Sequence, residues 1–118
     1  MRRRKVVDSL TRYSHILRKT LGKVTVVLYG SYARGDFNIW SDIDVIVVSN
    51  AFRNTKFTKR WELLPEPPEE LKPIDIIAWT PDEAKILMQK PSWRKALNHS
   101  IIIIDDYRLL EETQHPTE

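Results

Sequence analysis

Cysteine is absent from the 118 residues, which excludes disulfides and thiolate-bound zinc and fits a reducing compartment. A cytoplasmic location is the expectation. Histidine is scarce as well, and His15, His99 and His115 show no metal-ligand spacing. No apolar run approaches the ~20 residues of a membrane span; Ile101 to Ile104 is far too short. The N-terminal cluster Arg2-Arg3-Arg4-Lys5 is not followed by the apolar stretch of a secretory signal, so no membrane association is expected. A strong charge of either sign is also missing. The net charge is +3 and the pI ≈ 9.3, a mild excess that favours anionic partners without by itself arguing for nucleic acid.

What is present reads as a soluble globular chain, 42% hydrophobic and 30% charged. The length suits one domain, 1–118, with a genuine core. No internal repeat or domain boundary is apparent, and 111–118 reads as a disordered tail. Val6, Leu10, Tyr13, Leu17 and Leu21 recur at spacings of three and four, which predicts a helix over 3–21 ending at Gly22. Val24 to Tyr29 predicts a strand buried on both faces, and Ile43 to Val48 a second one. In the latter, Ile43, Val45 and Val47 face one way and Asp44, Ile46 and Val48 the other. Ile74 to Trp79 and Ile101 to Ile104 predict two more strands. Thr80-Pro81-Asp82-Glu83 carries the signature of a capping box with Pro at N1, opening a helix over 81–89 with Ile86 and Leu87 as core contacts. Pro91 interrupts it, and a second short helix is expected over 93–99.

Chemistry concentrates in Tyr29-Gly30-Ser31 and, ten residues on, Asp42-Ile43-Asp44. Gly30 and Ser31 end the first strand at a turn where a ligand can approach the backbone, and a short helix from Ser31 to Gly35 would open with free N–H groups suited to an anion. Period-two alternation sends Asp42 and Asp44 to the same side, where two carboxylates repel unless a cation separates them. Hard oxygen ligands of this kind suit Mg²⁺ or Mn²⁺. A third acid, Asp75, lies in the strand Ile74 to Trp79.

Gly30-Ser31, Asp42-Ile43-Asp44 and Asp75 together resemble the signature of the DNA polymerase beta-like nucleotidyltransferases. The wording Ser-Tyr-Ala-Arg-Gly and Ser-Asp-Ile-Asp in a short chain resembles the minimal nucleotidyltransferases (MNT) among them. The resemblance spans roughly Val24 to Ile104. It implies an α/β (α+β) fold, a small mixed sheet of about four strands flanked by helices. It also implies catalytic and metal-binding roles for Asp42, Asp44 and Asp75, two Mg²⁺ ions, and Gly30 and Ser31 holding the phosphates of ATP. Asp75 would hold the catalytic metal and help deprotonate the acceptor hydroxyl. Chains of this kind resemble the MNT half of HEPN–MNT toxin–antitoxin pairs, in which AMP from ATP is transferred to a tyrosine of the HEPN toxin. A HEPN partner encoded by an adjacent gene is the expected acceptor. The alternatives are a module that neutralises its partner by contact alone, and an RNA nucleotidyltransferase acting through the basic stretch 53–60.

Other residues carry two readings each. Arg34 either contacts nucleotide phosphate or pairs with Asp36. Phe37, Ile39 and Trp40 either stack on a base or close the core beneath their loop. Phe57, Trp61 and Leu64, with Lys56, Lys59 and Arg60 between them, suggest a short helix over 56–64 that covers the sheet with a solvated basic face, or a surface for a partner. The Arg2 to Lys5 cluster is a solvated helix start or an anion contact. Asp105-Asp106 reads as a turn rather than a metal pair, because consecutive strand residues face opposite ways.

Overall fold

The computed structural model describes residues 3–110. Helix α1, Arg3–Leu21, buries Val6, Leu10, Tyr13 and Leu17, the stripe expected from its spacing, and Gly22 follows in the left-handed conformation at φ 84°. Four strands form one mixed sheet: β1 (Thr25–Tyr29), β2 (Ile43–Val48), β3 (Ile74–Trp79) and β4 (Ile101–Asp105), in the order β3-β2-β1-β4. β1 is antiparallel to both β2 and β4, whereas β2 and β3 run parallel. Such a sheet, flanked by helices, is the expected architecture.

Each face of the sheet has its own core, and alternation decides which residue joins which. Val24, Val26, Leu28, Ile43, Val45 and Val47 pack with α1. Val27, Ile46, Val48 and Trp79 pack with Ala84, Met88 and Leu97 from the helical layer on the opposite side. That second layer consists of α3 (Pro81–Leu87) and α4 (Pro91–Ala96). The capping box forms as its residues suggest: Glu83 N–H donates to Thr80 Oγ1 (3.2 Å), and Thr80 N–H donates to Glu83 Oε1 (2.9 Å). Trp93 of α4 makes edge contacts with both Trp79 (centroids 4.9 Å apart) and Tyr29 (5.6 Å), fixing α4 over the end of β1.

Several expectations need correction. α3 ends at Leu87, and Ile86 is 63% exposed rather than a core contact, because Ala84 and Met88 occupy the inward face. A second short helix does follow a break, but it spans Pro91–Ala96 rather than 93–99, with Pro91 at its first position, where the missing N–H costs nothing. The stretch over 56–64 is a 3₁₀ helix, Phe57–Leu63, and its orientation is inverted. Arg60 is 5% exposed, while Phe57 and Trp61 stand in solvent at 57% and 67%. The guanidinium donates to Thr55 O (2.9 Å) and Ala78 O (3.0 Å) and forks onto both oxygens of Glu83 (2.6 and 3.0 Å). One charge fully supplied with acceptors thus replaces the aromatic anchor. Asp105 is the last residue of β4 and Asp106 opens the turn that follows, so the expected turn begins one residue later. Asp105 Oδ1 and Oδ2 accept from the N–H groups of Leu109 and Leu110, and Asp106 accepts from Val24 N–H and pairs with Arg18. No helix among the described residues is long and apolar enough to cross a membrane. Arg2 and the 111–118 tail lie outside the described residues.

Candidate functional site

Two backbone registers bring the sequence-predicted acids together. Tyr29 of β1 stands opposite Asp44 of β2, and Asp44 stands opposite Asp75 of β3. Paired positions share a face, so Tyr29, Asp44 and Asp75 form a row across three strands, on the side that carries α3 and α4. Asp42 lies two residues before Asp44, and Ile43 N–H donates to Pro73 O (3.0 Å), which extends the β2–β3 pairing to the rim where Asp42 sits. Asp42 and Asp75 are exposed; Asp44 is half-buried.

The electrostatics follow from this crowding. The Asp44 carboxyl is raised above the usual carboxylate range, chiefly by burial, then by the charges of Asp75 and Asp42, with Arg34 opposing. Tyr29 is pushed up to about 12 by burial first and then by Asp44 and Asp75. The phenol is therefore neutral at neutral pH. No set of three His, Cys, Asp or Glu side chains among the described residues is drawn tightly enough to cage a metal ion. The three carboxylates are electrostatic neighbours on an open rim. As a donor set they suit a hard, octahedral cation that keeps some of its water.

Gly30 shapes the space beside them. Its φ of 76° and ψ of −156° lie in a region essentially restricted to glycine. A Cβ at Gly30 would fall on Asp44 Oδ2 and come within 3.2 Å of its Cγ. The missing side chain is therefore what lets Asp44 lie against the turn. Helix α2, Ser31–Arg34, starts immediately after it and closes at Gly35 in the left-handed conformation. Its first N–H groups have no acceptor within the helix. Arg3 Nη1 donates to Ala33 O (3.1 Å), so this member of the N-terminal basic cluster braces α2 rather than floating in water.

The residues with two readings divide. Arg34 pairs with Asp36 (3.2 Å), the structural one of its two readings, and its charge also opposes the rise of the Asp44 carboxyl. Phe37 stacks on Tyr32 at 4.2 Å, closing the loop, whereas Ile39 and Trp40 are 87% and 84% exposed. Two features escaped the sequence reading. Tyr29 joins the acid row, which the alternation along β1 would have revealed had the register been known. An open cleft of ≈ 510 Å³ lies between α2 and α4, lined by Arg34, Ser92, Lys95, Ala96, Asn98 and His99. No local pattern joins residues so far apart in the chain.

No curated protein matches the chain. Among solved structures it is similar to a candidate nucleotidyltransferase from Sulfolobus solfataricus, with a TM-score of 0.57 and 15% identity over 85% of this chain and 80% of that one. That likeness concerns the fold. The sequence pattern of the nucleotidyltransferase domain family matches residues 10–109, which include Gly30-Ser31 and all three acids, and the chain belongs to that family.

Proposed function

We propose that the protein transfers a nucleoside monophosphate, AMP from ATP, to an acceptor hydroxyl, and that Asp42, Asp44 and Asp75 hold the divalent cations this requires. The observation that carries the reading is the strand register that sets Asp44 beside Asp75, with Gly30 bare beneath Asp44. Three acids at one rim are unfavourable for folding alone, and a family of nucleotidyl transfer enzymes accounts for them. Mg²⁺ or Mn²⁺, when bound, supplies charge neutralisation for the triphosphate and lowers the pKa of the acceptor hydroxyl.

The chain's own residues do the rest. Gly30 and Ser31 offer backbone N–H groups and a hydroxyl to the phosphates. Asp75, exposed at the start of β3, takes the proton of the acceptor hydroxyl. The acceptor oxygen bonds to the α-phosphorus, the α–β bridging bond breaks, and pyrophosphate leaves. Positioning and charge neutralisation carry most of such a reaction, so a small domain suffices.

For the acceptor we propose a tyrosine of a HEPN-domain toxin encoded by the adjacent gene, modified and silenced by this chain as antitoxin. The exposed Ile39 and Trp40 beside Asp42 favour a protein acceptor over a polyanion at this acidic rim. Incubation with α-labelled ATP, Mg²⁺ and the neighbouring gene product should label that protein, and Asp42→Asn should abolish the labelling. Neutralisation that survives Asp42→Asn would mean that contact alone suffices; label on RNA instead would replace the protein acceptor.

A further inference from the structure

The 3₁₀ segment Phe57–Leu63 faces the opposite way from what burial alone would choose. Arg60 is sunk in the fold, while Phe57 and Trp61 stand in water at 57% and 67% exposure. A well-packed apolar side chain in place of a buried ion pair is often as stable or more so, so stability does not ask for outward aromatics. We propose that this segment is a platform for single-stranded nucleic acid, with Phe57 and Trp61 stacking on bases and Lys56 and Lys59 contacting phosphates. The inference is independent of the nucleotidyl-transfer reading above.

The platform is held from behind. The Arg60 guanidinium, fixed by Thr55 O, Ala78 O and Glu83, lies over the Phe57 ring at 5.7 Å from its centroid. That ring is backed by a fixed cation on one side and open to solvent on the other. Trp61 makes no ring contact among the described residues. Charge is sorted in the same way. From Ala51 to Trp61 the chain carries four cations and no acid. Arg53 pairs with Asp82 (2.8 Å) and Arg60 with Glu83 (2.6 Å), which occupies both acids in the first turn of α3. Lys56 and Lys59, the two cations beside the exposed rings, are themselves exposed and form no ion pair among the described residues. Glu62 is the only acid on the segment. The order Lys56-Phe57-Thr58-Lys59-Arg60-Trp61 interleaves cations with rings, as a single strand interleaves phosphates with bases. An acidic peptide would use the lysines and leave the rings in water. The Ala78 carbonyl that anchors the platform lies three residues beyond Asp75, about 10 Å along β3. That is about one Debye length at physiological salt, so a polyanion seated here is largely screened from the acid rim.

Fluorescence anisotropy of a dye-tagged oligo(dT) of about ten nucleotides, at low salt, tests the inference. Chelator is included so that no cation bridges the strand to the acids. The wild-type protein should bind this strand more tightly than a duplex of the same length, whose bases are hidden. Trp61→Ala and Phe57→Ala should each weaken binding about tenfold, and Trp61→Phe should recover most of the loss. Lys56→Gln and Lys59→Gln should each lower the slope of log affinity against log salt by about 0.7. All four side chains are exposed, so the variants should melt with the parent. Wild-type protein that does not bind the strand overturns the platform. So does binding that both ring substitutions leave unchanged. Polyglutamate of matched charge that competes as well as untagged oligo(dT) would also overturn it, marking the segment as a charge patch for an acidic protein. None of these outcomes touches the nucleotidyl-transfer reading.

Discussion

Asp44 carries the tension within the site, since burial and two neighbouring acids all oppose its charge. A carboxyl whose folded pKa is raised favours the folded state below its unfolded value, near 3.8, and loses that advantage as pH rises through the folded value. At pH 7 and without metal, ionised Asp44 therefore works against folding. Asp44→Asn should melt as high as the parent or higher at pH 7 under chelation, with the difference shrinking as pH approaches 4. A clearly less stable variant under chelation would mean that Asp44 holds the fold. Gly30 has the opposite character. Gly30→Ala should cost about 1–3 kcal/mol from the glycine-only backbone conformation. It also displaces Asp44, so metal and nucleotide binding should fall with it, and titration calorimetry beside denaturant unfolding separates the two losses.

Elements with strong periodicity were legible in the sequence, and those without it were not. The stripe Val6, Leu10, Tyr13, Leu17 reports a face whose burial repeats every turn, and the alternation in β2 sorts its residues between two cores as expected. Phe57–Leu63 failed because a 3₁₀ turn has three residues, so the spacing of four that would put Phe57 and Trp61 on one inward face of an α-helix no longer does so. Hydrophobicity gave no sign that a guanidinium anchors this segment to Ala78 O and Glu83. Arg60→Ala should remove the donors of two carbonyls and a cation–π contact with Phe57 at 5.7 Å, costing about 2–4 kcal/mol in urea unfolding at pH 7. Glu83 tests the attribution. Its carboxyl is held below its ordinary value first by Arg60, despite an opposing contribution from burial, so it stabilises above about 4.5 and loses that contribution as pH falls. The penalty of Arg60→Ala should therefore shrink on acidification to pH 3.5. A pH-independent penalty would assign it to packing alone.

Across the whole molecule, spacing along the chain named Gly30, Ser31, Asp42, Asp44 and Asp75, but only topology made them neighbours. The parallel register of β2 and β3 aligns Asp44 with Asp75, and the return of the chain through α3 and α4 to the far edge delivers Lys95 and His99 to the opposite side of the same turn. Neither placement is encoded within a dozen consecutive residues. The consequence is a molecule whose acids crowd at one end of its sheet, unfavourably for one another until a cation arrives. Binding to the folded state alone raises stability by mass action, by roughly 2.7 kcal/mol at one hundred times the dissociation constant. ATP with Mg²⁺ should therefore raise the melting temperature well beyond the sum of the shifts from Mg²⁺ alone and from ATP in chelator, because the cation cancels the repulsion between the acids and the triphosphate, and the phosphates in turn add ligands for the cation. Asp42→Asn or Asp75→Asn should erase the excess while leaving the chelated protein at least as stable. Shifts that merely add, or an excess that survives both substitutions, would show that cation and nucleotide do not meet at these acids.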